Sequence, residues 1–205
     1  MTSELDELRT GQSPTDPDDN DDRALLARVG AGDRAALREL YVKFHPILLR
    51  FIYRIAGQFE LAQEGINDTM LVVWNRSHSF EGRSTVATWI MGIAYRKALE
   101  LRRNAQRRSR HQADVSDFEE WIERSATTEP LTAEIEISDV LARALRALPP
   151  EQYAVVELTY FYGYSYQEIA KIVNCPVNTV KTRMFHARRK LQALLPRLGQ
   201  DGVGS

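Results

Sequence analysis

Apolar side chains recur at three- and four-residue steps along most of this chain, and few stretches alternate as a strand does. The pattern predicts an all-α protein. Leu25, Leu26 and Val29 mark a first helix, which Asp21 or Asp22 is placed to cap and which Gly30 and Gly32 end. Asp33 is placed to cap a second, with Leu37, Leu40, Tyr41 and Phe44 on one face. Pro46 fits a first turn, so Ile47–Ile55, apolar on most sides, reads as a separate central helix. Leu61–Trp74 follows, with Ile66, Met70, Val73 and Trp74 in register, and then a polar loop over 75–83. Ser84 or Thr85 opens a long helix through Trp89, Ile90, Ile93, Ala94 and Leu101, which ends in a basic run from Arg102 to Arg110.

The composition then changes. His111–Leu131 is acidic and rich in Ser and Thr, and reads as a linker; Phe118, Trp121 and Ile122 point to one part that docks. Thr132 is placed to cap a helix bearing Ile135, Ile137, Val140, Leu141 and Leu145, stopped by Leu148-Pro149-Pro150. Glu151–Tyr162 is a further helix. Beyond it, Ser165 and Glu168 have the spacing of a capping box, with Ile169, Ala170 and Val173 as a buried stripe. Asn174 stands where a turn needs a left-handed residue, and Pro176 is suited to start the next helix. That helix buries Val177 or Val180, then Met184, Ala187 and Leu191. Asn178, Thr179, Lys181, Thr182, Arg183, His186, Arg188, Arg189 and Lys190 are left facing outward. The expected division is an acidic tail over 1–20, a helical domain over 21–108, a linker over 109–131, a second helical domain over 132–197 and a short tail over 198–205.

The formal net charge of −1 conceals an uneven distribution. Residues 1–22 carry eight acids and one base, 83–110 carry eight bases and one acid, and 177–197 carry six bases and no acid. The two basic segments point to nucleic acid. In the helix-turn-helix pattern, Arg183 is suited to a guanine edge and Lys181 to phosphate. Phe80, Trp89 and Tyr95 lie among Arg83, Arg96, Lys97, Arg102 and Arg103, a mixture that suits an opened DNA strand and an extruded base. Trp89 also belongs to the Ile90/Ile93 stripe and reads first as core.

Other classes are disfavoured. Cys175 is the single cysteine, so neither an intramolecular disulfide nor a cysteine zinc cluster is expected, and a reducing, cytoplasmic setting is. The acidic start is unlike a signal peptide, and no run of about 18 apolar residues predicts a membrane span. His45, His78, His111 and His186 are scattered, and no phosphate-binding glycine loop occurs. No catalytic residue, metal or cofactor is expected, and the protein reads as no enzyme.

Three stretches carry a resemblance. Phe80-Glu81-Gly82-Arg83-Ser84-Thr85-Val86-Ala87-Thr88-Trp89-Ile90-Met91-Gly92-Ile93-Ala94 resembles the promoter-melting loop and helix of the extracytoplasmic-function sigma factors. Leu148-Pro149-Pro150-Glu151-Gln152 resembles the start of that family's second domain, without its usual arginine, and Tyr164–Arg189 is similar to its minus-thirty-five-reading domain. The resemblance covers about residues 22–195 and implies two small domains, sigma2-like and sigma4-like. By it, the first binds the clamp helices of RNA polymerase core and melts the minus-ten element, with Phe80, Arg83, Ser84, Trp89, Arg96, Lys97 and Arg103 at the DNA. The second binds the flap tip and reads promoter DNA through Asn178, Thr179, Lys181, Thr182, Arg183, His186, Arg188 and Arg189. The free protein would be a monomer. Where the family has an acidic clamp-binding segment, this chain has Leu61-Ala62-Gln63-Glu64; Glu60, Leu61, Gln63, Glu64, Asn67 and Asp68 are the expected core-binding residues. The reduced acidity suggests that a Ser/Thr kinase restores the charge at Thr69, the nearest hydroxyl. Control by an anti-sigma factor or by the acidic tail is the alternative. A competing reading is a polymerase-independent regulator that uses the helix-turn-helix alone.

Overall fold

A computed structural model describes residues 19–112 and 139–200. The chain divides into two compact units, residues 1–129 and 130–205. Among the described residues every regular element is helical. The tail before residue 19, the linker from 113 and the expected Thr132 cap with Ile135 and Ile137 lie outside the described residues.

In the first unit α1 spans Asp19–Gly30, α2 Arg34–Ala56, α3 Phe59–Arg76 and α4 Val86–Gln112, with a single 3-10 turn at Ser77–Ser79. Each helix gives the core a stripe at helical spacing: Leu26 and Val29 from α1, Leu40, Phe44, Leu48, Phe51, Ile52 and Ile55 from α2, Ile66, Met70 and Val73 from α3, Ile90, Ala94 and Leu101 from α4. Asp33 caps α2 as expected, accepting from the Ala35 and Ala36 amides at 2.8 and 3.2 Å. The Ala36 amide and the Arg28 guanidinium hold its carboxyl below the ordinary aspartate value. At the other end Gly57 takes φ +83 and returns its amide to the Tyr53 carbonyl at 2.8 Å.

Three expectations fail here. Asp21 and Asp22 lie inside α1, not at its cap; Asp22 is 1% exposed and its carboxylate holds Lys43 Nζ of α2 at 2.7 Å. Pro46 starts no helix, because α2 runs through it without a break. Its ring faces solvent, and the apolar face on either side is fully buried, which offsets the lost amide. Arg102, grouped from sequence with the cations suited to an opened strand, is half-buried and donates to the Ile55 carbonyl at the end of α2 at 3.1 Å.

In the second unit α5 is Asp139–Arg146, α6 Pro150–Tyr160, α7 Tyr166–Ile172 and α8 Val177–Gln200. The long α8 packs on the other three and buries Val180, Met184 and Ala187; Val177 and Leu191 are only half-buried. Pro150 opens α6, where its missing amide is not needed.

Candidate nucleic-acid interface

The turn between α7 and α8 forms as its residues dictate. Ser165 Oγ accepts from the Glu168 amide at 3.3 Å, and Glu168 Oε2 accepts from the Ser165 amide at 2.9 Å, closing the capping box. Asn174 takes φ +50, the only non-glycine residue with positive φ among those described. The Cys175 amide then reaches back to the Ala170 carbonyl at 3.0 Å. Pro176 lies just before α8, its carbonyl accepting from Thr179 and Val180 at 2.9 and 3.2 Å. Asn174→Gly is expected to leave thermal stability of this unit unchanged or slightly raised. Asn174→Val, which resists that φ, should lower it by about 1–2 kcal/mol in chemical denaturation.

This turn presents the start of α8. Asn178, Lys181, Thr182, His186, Arg188 and Arg189 are exposed, whereas Thr179 and Arg183 are half-buried. Arg183 Nη1 approaches Cys175 Sγ at 3.8 Å, so the turn steadies its guanidinium. Arg188, expected at DNA, is exposed and also reaches α6, with Nη2 2.9 Å and Nε 3.2 Å from Tyr160 Oη. Phe185 is 61% exposed amid this basic face, an apolar contact the sequence reading passed over.

In the first unit, Phe80 and the turn of α4 after Val86 form a second cluster. Thr85 opens α4: its Oγ1 accepts from the Thr88 amide at 3.1 Å and its carbonyl from the Trp89 amide at 3.1 Å. This brings the half-buried Trp89 beside Phe80, ring centroids 5.6 Å apart and tilted by 57°. Arg83 is exposed and pairs with Glu81, and Ser84 is half-buried. Tyr95, grouped with these aromatics from sequence, is 4% exposed and belongs to the core. Arg96 and Arg103 are exposed on α4. Partial desolvation, and secondarily the Arg76 guanidinium at the end of α3, push the Arg96 pKa below the ordinary arginine value. Arg96 stays charged at neutral pH, so two neighbouring cations make a local field that phosphate would relieve. Arg76 was missed because it is an unremarkable last-turn cation in sequence.

Lys97 is not free on this face. It is bound to Asp68 of α3 at 3.1 Å and to Glu100 at 3.4 Å, and the Asp68 hydrogen bond raises its pKa. A residue expected at DNA and one expected at the polymerase are therefore partners.

On α3, Glu60, Glu64 and Asn67 are exposed, and Leu61, Gln63 and Asp68 are half-buried. Asn67 also borders a groove of about 470 Å³ between α2 and α3, lined by Arg34, Leu37, Tyr41, Met70, Leu71 and Trp74. Leu71 is 57% exposed there and stands outside the Ile66/Met70/Val73 stripe; that misfit in register is the signal that could have found it. Thr69 corrects the modification expectation. Its side chain is fully buried and its hydroxyl donates to the Gly65 carbonyl at 2.6 Å, so it offers a kinase nothing in the folded unit. Among the described residues no group of three or more His, Cys, Asp or Glu is placed to hold a metal, and no helix is long and apolar enough to cross a membrane.

Comparison with known proteins agrees with both units. The sigma-70 region 2 family model matches residues 40–108, and the sigma-70 region 4 model matches 138–191. The ECF RNA polymerase sigma factor SigM of Mycobacterium tuberculosis is 31% identical over 174 residues, 85% of this chain and 84% of the relative. The RNA polymerase sigma-H factor of Pseudomonas aeruginosa is 29% identical over 184 residues, 86% of this chain and 95% of the relative. The sigma factor RpoE of Bartonella quintana, solved with the anti-sigma factor NepR, shares the fold with a TM-score of 0.62 at 24% identity, over 78% of this chain and 96% of that one. With a relative this similar along nearly its whole length and the two regions in the family's order, the chain belongs to the extracytoplasmic-function sigma factors of the sigma-70 family.

Proposed function

We propose that the protein binds RNA polymerase core through the outer face of α3 and directs it to promoters, where the first unit opens the minus-ten element and the second reads the minus-thirty-five element as duplex. One observation carries this reading. A single chain pairs an aromatic, cationic loop at the head of a basic helix with a helix-turn-helix whose basic face is exposed. The first suits an unpaired strand and the second a major groove.

Glu60, Glu64 and Asn67 would meet the basic clamp helices. With fewer acids than the family norm, the neighbouring groove around Tyr41, Leu71 and Trp74 would add apolar contact. The solved Bartonella relative is bound to an anti-sigma factor. An anti-sigma partner of this chain would compete for the same groove.

The test is binding of the purified, unmodified protein to core polymerase, with promoter opening as readout. Binding and opening are expected without phosphorylation of Thr69, whose hydroxyl is sealed in the core. Glu64→Lys should weaken core binding by like-charge repulsion while leaving the helical spectrum intact. Absence of core binding, together with a footprint made by the protein alone on duplex DNA, would favour the polymerase-independent regulator.

A further inference from the structure

The Phe80–Thr85 loop is held from outside itself, by the first turn of α1. Asp19 splits its carboxylate between two partners. Oδ1 accepts from the Val86 backbone amide at 2.8 Å, and Oδ2 accepts from Arg23 Nε at 2.6 Å. Arg23 also donates from Nη2 to the Ser84 carbonyl at 2.9 Å, and its guanidinium carbon stands 5.3 Å from the Phe80 ring centroid. The loop carbonyl, the loop aromatic and the first amide of α4 are thus tied to two residues far earlier in the chain, the two hydrogen bonds spanning 61 and 67 positions. Gly82 fits the same arrangement: it takes φ +70, and a Cβ there would come within 2.9 Å of Arg23 Nη1.

A loop that must be ordered when its ligand arrives loses affinity to the ordering. A loop already held in shape avoids that loss. Arginine is suited to the holding, because its planar fork reaches Asp19 and Ser84 at once while lying against an aromatic ring. Lysine carries the same charge but has one nitrogen in place of the fork and no planar face to lie against the ring.

We propose that Asp19 and Arg23 are positioning residues for base selection: they set the Phe80–Thr85 backbone in the shape that receives an unpaired promoter base, and so determine which base is preferred there. They act through Ser84, Phe80 and Val86 and need not touch DNA. This inference rests on the promoter-opening reading above.

The test uses the full-length protein assembled with core polymerase and a fork-junction DNA whose single-stranded minus-ten segment is randomised; the bound fraction is sequenced. Wild type should enrich one base strongly at the pocket position. Arg23→Ala, Arg23→Lys and Asp19→Asn should each reduce that enrichment about tenfold, the effect of losing one charge-assisted hydrogen bond. Preferences at the other positions and affinity for core should stay as in wild type. Gly82→Ala strains the loop at φ +70 besides crowding Arg23 and should flatten the same position; Asp19→Asn carries the test if an Arg23 variant fails to fold. Wild-type selectivity in all these variants would overturn the proposal, as would full rescue by Arg23→Lys or an equal loss at every position. Wild-type holoenzyme that selects no DNA would overturn the promoter-opening reading itself, and this inference with it.

Discussion

Phe51→Ala is expected to destabilise the first unit by about 3–5 kcal/mol, the range for emptying a fully buried phenylalanine site. Phe51 is completely buried in α2, a helix that packs against α1, α3 and α4. A core held by several helices gives the cavity little means to collapse. Against a typical total of about 5–15 kcal/mol the loss is severe. The melting transition of this unit should fall by more than about 10 °C, at roughly 4–8 °C per kcal/mol for a domain of this size. The second unit has its own core around Val180, Met184 and Leu158 and should melt unchanged. A shift under about 1 kcal/mol would show that Phe51 is not in a close-packed core.

Gly65 makes an instructive contrast. A Cβ there would meet Ile52 Cγ2 at 2.9 Å and Leu101 Cδ1 at 3.1 Å, where α2, α3 and α4 come together. Alanine would gain about 1 kcal/mol of helix propensity over glycine, yet crowding of this kind loses about 1–3 kcal/mol. The gain offsets part of the loss, which is why Phe51 is the sharper probe of this core.

The second large effect belongs to DNA. Arg183→Ala should remove about 1–3 kcal/mol of discrimination at one base pair of the minus-thirty-five element, the magnitude of a bidentate guanine contact. Arg183 is the candidate because it is half-buried and steadied at Cys175 near the start of α8, so its fork is preorganised. Lys181 is exposed and has the freedom to follow phosphate. Lys181→Ala should therefore weaken binding to all sequences alike and lower the salt dependence by about one charge. Holoenzyme binding to duplex minus-thirty-five variants at several salt concentrations separates the two. Uniform weakening by Arg183→Ala would mean that Arg183 holds phosphate instead.

Much of this was legible in the sequence wherever a local rule and the tertiary structure agree. The Ser165/Glu168 capping box, the left-handed Asn174 and the Asp33 cap are decided within a few residues, and all three form. What escaped was settled at a distance. Asp22 looks like a cap until Lys43 is brought beside it from α2. Tyr95 and Arg102 look like surface groups until neighbouring helices cover the one and offer a carbonyl to the other. Thr69 looks modifiable as the nearest hydroxyl to Glu64, yet it stands three residues after Ile66 and four before Val73, within the stripe that is buried. Asp19 and Arg23 could not be connected with the 80–85 loop by any periodicity, since the contacts span more than 60 residues.

The interior proline of α2 separates what the backbone provides from what the domain provides. No amide at position 46 can close onto the carbonyl one turn earlier, so the hydrogen-bonded ladder is interrupted between Arg34–His45 and Ile47–Ala56. Each stretch is near or below the roughly 12–15 residues at which an isolated helix is marginal in water. The rod is continuous because Leu40, Phe44, Leu48 and Phe51 are buried in the core of the unit on both sides of the interruption. As an excised peptide α2 would have no such grip: its straightness is a property lent by the assembled fold, absent from the segment alone.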